Sequence, residues 1–442
     1  MSIRFPRRNT DPDSVPMFAS LYIRNYRLYF WGGLVSNTGT WMARVAQDWL
    51  VLTILTKGDS LSLGVTTALQ FLPVVLLAGQ AGAAADRYDK RKLLQVTQTC
   101  MLTTGLALAI PVLLNATAVP LWYVFILSFL TGIAAAFDAP ARQAYAPEMV
   151  PTKLIPNAVG LNTTSFNAAR LIGPALSGMM IAWWGVGWSL LINAVSFVPV
   201  IVALALQRPG ELHPAKKMAS HKGALRDGLR YVRKRPRIVL LLFTIFMLGT
   251  FGMNFQITNA LMATEEFHLA SDGYGFMGTI MAIGSLSAGL WAAKRSKPRM
   301  RLIMIAMAGF GVAVTGLTFA PNVVVYSLFL IPAGLFSLTV MTACNASVQL
   351  AVEPEMRGRV MALYMAIFMG GTPLGAPVLG WVGEVLGARW TLAVGCVSAF
   401  ITVAVVVGYV ARSKDFDWPH KAKTDDPSFD YLNQSETELQ CR

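Results

Sequence analysis

Arg44 and Asp48 stand four residues apart inside an otherwise apolar stretch of this 442-residue chain, and Arg170 interrupts another such stretch. A charged side chain at the centre of a membrane span costs roughly 2.5–3.5 kcal/mol, so residues of this kind are kept where they do chemistry. The spacing puts Arg44 and Asp48 on one helical face. Asp48 can carry a proton if desolvation favours its neutral acid, which Arg44 opposes by favouring the carboxylate. Proton and substrate binding can then compete through the pair. The alternative is a permanent intrahelical ion pair near the outer interface. Arg170 can bind an anionic or carbonyl-rich molecule in a cavity, or pair with Asp48 between helices. Asn37, Asn162, Asn167, Asn254, Gln256, Asn259 and Asn345 can add hydrogen bonds to a cavity or link helices.

Other chemistries find little in the sequence. His213, His221, His268 and His420 lie outside the apolar stretches, so no His, Ser and carboxylate set converges at membrane depth. Cys100, Cys344, Cys396 and Cys441 are scattered without metal-ligand spacing. There is no G-x4-G-K-[ST] loop for nucleotide hydrolysis. The reading is a protein that is not an enzyme, holds no metal or cofactor, and draws its energy from an ion gradient.

The elements that must position these residues are membrane helices. At 55% hydrophobic and 14% charged residues, the chain has too little polar material to cover a soluble protein of its size. A hydrocarbon layer about 30 Å thick takes about 20 apolar residues per helix, and lipid leaves no other partner for the backbone. Hydropathy with helix breakers as punctuation predicts spans near 27–55, 62–85, 93–114, 121–142, 157–183, 185–206, 238–263, 272–293, 301–320, 324–350, 360–383 and 390–411. The expected fold class is an all-α membrane protein with twelve transmembrane helices in two pseudo-symmetric six-helix bundles. The basic N-terminal segment lacks the apolar core and cleavage site of a signal peptide, so insertion is expected to begin with the first span.

The net charge of +14 reads as membrane orientation rather than as a nucleic-acid partner. With the N-terminus in the cytoplasm, 33 of the 37 Lys and Arg fall in cytoplasmic segments, Lys57 and Arg389 fall outside, and Arg44 and Arg170 lie within spans. Both termini are therefore expected in the cytoplasm, with the chain multi-pass in the plasma (inner) membrane. The expected organisation is a cytoplasmic segment 1–26, a bundle 27–206, a basic linker 207–237 against the anionic inner leaflet, a bundle 238–411 and a polar tail 412–442. The tail has too few apolar residues to pack a domain.

The halves resemble each other, as parallel repeats do. Pro147-Glu148-Met149 recurs as Pro354-Glu355-Met356, 207 residues later, and Gly173-Pro174-Ala175-Leu176-Ser177-Gly178 aligns with Gly375-Ala376-Pro377-Val378-Leu379-Gly380, 202 residues later. Between the second and third spans stands Gly82-Ala83-Ala84-Ala85-Asp86-Arg87-Tyr88-Asp89-Lys90-Arg91-Lys92. It resembles the signature loop of the major facilitator superfamily, G-x-x-x-D-R-x-G-R-R, with Asp89 in place of the second glycine. A degenerate copy, Gly289 to Arg295, has lost the acid. In that family the loop latches the two halves on the cytoplasmic side, which implies a gating set of Gly82, Asp86, Arg87, Arg91, Arg142 and Glu148. Asp86 can accept hydrogen bonds from Arg142 and favour the positive N-terminus of the eleventh span.

In the fifth span, Gly160, Ala169, Gly173-Pro174 and Ser177-Gly178 resemble the antiporter motif G-x8-G-x3-G-P-x2-G-G of drug-exporting members. Small residues there let the fifth and eighth spans approach closely and limit leak. The stretch from Phe137 to Glu148 and Ser36 to Met42 resemble the subgroup that holds the enterobactin exporter and macrolide exporters. Many exporters keep an arginine in the fourth span, as R-x-x-Q-G, where this chain has Ser128. The resemblance implies a monomeric alternating-access carrier, embedded in lipid, that exports amphipathic or siderophore-like small molecules in exchange for protons. A proton-coupled importer of a polar nutrient is the alternative within transport, and an intramembrane enzyme or assembly factor the alternative outside it.

Overall fold

The computed structural model describes residues 16, 18–213, 224–293 and 300–412, and every regular element among them is a helix. A helix closes its own backbone hydrogen bonds, which is what a chain with so little polar material needs in lipid. The first half holds α1 (Arg24–Trp49), α2 (Ser60–Leu76), α3 (Ala78–Arg87), α4 (Lys90–Asn115), α5 (Leu121–Tyr145), α6 (Ile155–Trp184) and α7 (Val186–Leu206). After α8 (Ala224–Arg233), within the expected linker, come α9 (Pro236–Met247), α10 (Phe255–Leu261), α11 (Ser271–Ala293), α12 (Met300–Thr318), α13 (Val323–Ala351), α14 (Pro354–Leu386) and α15 (Ala388–Arg412). The expected tail from 413 onward and the loop bases Lys294 and Arg295 lie outside the described residues.

Each of the twelve expected spans contains a helix. Among the described residues, eight helices are long and apolar enough to cross a membrane alone, or nine if α2 and α3, bent by 54° about Leu77, form one span. The other three are α1, α6 and α11, of 26, 30 and 23 residues. They are long enough but carry polar and small side chains that neighbouring helices bury, among them Ser36, Asp48, Ser165, Ser177 and Ser285. Helix starts are fixed by side-chain caps: Asp59 accepts from the Ser62 amide at 3.0 Å, and Asp89 from those of Arg91 at 2.9 Å and Lys92 at 3.2 Å. The Asp89 that departs from the family loop is thus the residue that starts α4.

The chain packs as two compact units. The first comprises residues 1–220, 255–282 and 376–388, and the second residues 221–254, 283–375 and 389–442. In the first unit we call the end where α1 begins proximal and the opposite end distal. The distal end contains two matching helix crossings. A Cβ on Gly178 of α6 would lie 2.7 Å from the Ser271 carbonyl oxygen and 3.2 Å from Cα of Gly275 on α11. One on Gly380 of α14 would lie 2.6 Å from the Ser60 carbonyl oxygen and 3.2 Å from Cα of Gly64 on α2. The Ser271 and Ser60 hydroxyls donate to the Gly178 and Gly380 carbonyls at 3.3 and 2.9 Å. A Ser-x3-Gly pair recurring 211 residues apart, against glycines 202 residues apart, therefore makes both contacts. Only glycine lets the backbones approach this closely.

The proximal end of the same unit is held by polar straps over an apolar cluster of Tyr26, Tyr29, Leu94, Tyr145, Met149 and Leu204. The Tyr26 hydroxyl donates to the Ala158 carbonyl at 2.6 Å, and Asn25 exchanges side-chain bonds with the Arg208 backbone and accepts at its carbonyl from Gln207. In the second unit α12 and α13 lie along each other, and Arg389 donates to the Thr318 carbonyl at 2.8 Å. Arg235 pairs there with Glu353 at 2.6 Å and stacks 3.6 Å from the Tyr231 ring centre.

Candidate functional site

Asp48 and Asp138 are two of the buried carboxylates of the first unit. Near its distal end Asp48, 6% exposed, accepts a 2.9 Å hydrogen bond from the Tyr274 hydroxyl on α11. The same hydroxyl lies 3.2 Å from the Gln256 carbonyl oxygen, which ties α1, α10 and α11 at one point. Arg44, one turn back on α1, forms no ion pair with Asp48. Its guanidinium carbon sits 4.5 Å from the Trp41 ring centre and 5.3 Å from that of Phe71, and its Nε is buried without a hydrogen-bond partner. Arg170 approaches the same Trp41 ring at 5.6 Å. A flat, weakly hydrated guanidinium gains from an aromatic face, which accounts for both placements. The permanent Arg44–Asp48 ion pair and the Arg170–Asp48 pair considered from the sequence are therefore both corrected: Tyr274 is the group that meets Asp48, and both arginines meet Trp41.

Ser128, where the family resemblance leads one to expect arginine, accepts from Gln47 at 2.9 Å and donates to the Val124 carbonyl at 2.7 Å. It joins α1 to α5 beside Asp48 without adding a charge. On α6, the antiporter-type residues spread over several contacts. A Cβ on Gly173 would lie 2.6 Å from that of Trp41, Pro174 faces Gly275 and Gly278, and Ser177 donates to the Met42 carbonyl at 2.8 Å. Gly160 faces open space instead.

The second carboxylate is Asp138, near the proximal end on α5 and 7% exposed. It accepts from Thr97 at 2.8 Å, Gln98 at 2.6 Å and Arg142 at 3.0 Å. Gln98 is also 3.3 Å from Ser36 on α1, and a Cβ on Gly33 would lie 3.7 Å from Arg142. This corrects one expectation: Arg142 pairs with Asp138, one turn away on its own helix, rather than with Asp86. The physical reason is reach and solvent: Asp86 is exposed on α3, whereas Asp138 shares the buried face of α5 with Arg142. Arg91 donates to the Ala205 carbonyl at 3.2 Å, and Lys90 pairs with buried Glu148 at 2.8 Å. Arg87 lies exposed, 5.8 Å from the Tyr88 ring centre, and a Cβ on Gly82 would meet nothing.

The amides considered for a cavity divide. Asn37, Asn162, Asn167 and Gln256 are partly buried in the first unit, and the Asn167 amide donates to its own helix at Thr163 (2.9 Å). Asn345 belongs to the second unit, where it accepts from Gln349 at 2.6 Å. Asp138, Lys90 and Tyr274 escaped the sequence reading. Asp138 carried a signal in its four-residue spacing to Arg142. For Tyr274 there was none, because its partner is 226 residues away.

The arrangement sets a buried carboxylate at a three-helix junction, two guanidiniums near one aromatic ring, and close glycine-lined helix crossings. The family profile described as transmembrane secretion effector matches residues 15–436. The chain is 26% identical over 389 residues to the staphyloferrin A transporter of Staphylococcus aureus, covering 87% of this chain and 96% of that one. It is 23% identical to macrolide efflux protein A of Streptococcus pyogenes, covering 89% and 98%. A solved structure of a bacterial homologue of the human lysosomal transporter Spinster, inward-facing and unoccupied, superposes with a TM-score of 0.68 at 13% identity, covering 88% and 96%.

Proposed function

Because the chain belongs to the transmembrane secretion effector family of the major facilitator superfamily, we propose that this transporter is an exporter exchanging protons for a small amphipathic or siderophore-like molecule. It is a multi-pass membrane carrier and not an enzyme. The observation that carries the reading is the Asp48–Tyr274 bond. A hydroxyl donates more strongly to an ionised carboxylate than to a neutral acid. A proton arriving on Asp48 therefore weakens the tie between α1 and α11, and by linkage the state of that tie alters proton binding. Such a junction can convert protonation into movement at the distal end, where Gly178, Gly275, Gly64 and Gly380 let helices slide.

Export rather than import is supported by the antiporter-type contacts of Gly173, Pro174 and Gly178 and by relatives named for efflux. The basic segments support a plasma membrane location with both termini, the linker 207–237 and the proximal end in the cytoplasm. In this reading Lys90–Glu148 and Asp138–Arg142 brace the cytoplasmic end, and the protein works as a monomer with six spans on either side of the linker. Uptake of labelled candidate compounds into inverted vesicles tests it: an imposed pH gradient, acid inside, should drive accumulation, and accumulation indifferent to the gradient would remove proton exchange.

A further inference from the structure

We propose that Arg44, Trp41 and Arg170 form a binding site for an anionic group of the transported molecule, a carboxylate or comparable oxyanion. The inference rests on the transporter reading and names the substrate class that reading leaves open. Two guanidiniums approach one indole ring, Arg44 at 4.5 Å and Arg170 at 5.6 Å. An attraction between cation and ring uses no N–H acceptor and so leaves guanidinium N–H groups available to an oxyanion. Among the described residues, neither arginine has an ion pair or a hydrogen bond, and the buried Arg44 Nε is left without an acceptor. Both arginines are partly buried, and a buried guanidinium N–H left unmatched, as at the Arg44 Nε, is costly. The acid nearest the cluster is Asp48, which already accepts from Tyr274. Even with Asp48 ionised, two positive groups face one negative one.

A single anionic group would balance that charge and supply the missing acceptors. A carboxylate fits the planar fork of a guanidinium through two parallel bonds, and Trp41 offers a face for an adjoining apolar part. Access is also built in. On α6, Gly160 faces open space, Thr163 and Thr164 are exposed, and Asn167 is partly buried, which makes a polar stripe leading toward Arg170 from the proximal end. At 1.5 Å per residue the stripe is roughly 15 Å long. Lipid gives polar side chains no reason to remain uncovered at that depth.

The test uses the purified full-length protein in nanodiscs, at equilibrium and without any gradient. Salicylate and salicylamide share a ring and differ in charge, and citrate adds further carboxylates. Wild type is expected to bind salicylate and citrate, with a dose-dependent rise in melting temperature that needs no variant. Salicylamide should bind more weakly by roughly tenfold or more, and Arg44→Gln and Arg170→Gln should each weaken salicylate by roughly tenfold to hundredfold. Arg170→Lys should restore little, since an ammonium lacks the planar fork. Salicylamide binding as tightly as salicylate, no effect of either anion on wild type, or an Arg170→Gln variant with unaltered salicylate affinity would overturn the site. Because no proton gradient is involved, loss of proton exchange in vesicles and loss of anion binding here are separable results.

Discussion

Asp48 and Asp138 are both buried acids near an arginine four residues away, yet their surroundings assign them different work. Asp138 is well bonded: a hydroxyl, an amide and a guanidinium all donate to it, and Arg142 stays within the same helix. Asp48 has one hydroxyl from a distant segment, and its neighbouring arginine has turned away to an aromatic ring. The same spacing yields an acid paired with its own arginine in one place and an acid bonded instead to a distant hydroxyl in the other. What differs is the partner supply, since a carboxylate with spare lone pairs can change its bonds during a cycle and a fully bonded one resists it.

The contrast is open to direct attack, beginning with the largest effect. Asp138→Ala should destabilise the protein by about 3–5 kcal/mol, because it strands a buried Arg142. Thermal unfolding in nanodiscs measures this, and a melting temperature equal to wild type would refute the brace. Gly178→Val should cost about 1–3 kcal/mol by overpacking against the Ser271 carbonyl and α11. Unaltered stability and unaltered passive leak of protons in that variant would break the account of the distal crossing. Asp48→Asn should fold and insert normally while the pH-gradient response of transport falls by roughly tenfold, a change of about 1.4 kcal/mol. Full coupling with proton release intact would retire Asp48. Tyr274→Phe should shift stability by only about 0.5–1.5 kcal/mol, since it deletes one hydrogen bond, and yet change the pH dependence of transport. A variant with an unchanged pH profile would separate Tyr274 from coupling. Asp86→Ala should be the mildest, within about 0.5 kcal/mol of wild type, as an exposed side chain away from buried partners. A large loss of stability there would restore the Asp86 latch expected from the family loop.

How far the site was readable follows from where each partner lies. Arg44, Asp48 and Arg170 stand out by charge alone in apolar runs, and the glycines of α6 stand out by spacing. The Asp138–Arg142 pair was equally local and could have been read from its four-residue interval. Tyr274, Trp41 as a shared ring, and the pairing of Lys90 with Glu148 depend on which helices become neighbours. Polar α1, α6 and α11 show the same limit in the fold: hydropathy finds a helix facing lipid more readily than one whose polar face other helices bury.

The sequence by itself determined the helical class, the expected twelve spans, the basic flanks and the repeat, because lipid thickness, backbone hydrogen bonding and charge partition act on residues near one another in the chain. Tertiary structure alone decided which buried acid is held by three donors and which by one. That outcome depends on donors brought from segments far apart in sequence, and distance along the chain carries no record of which side chains will meet.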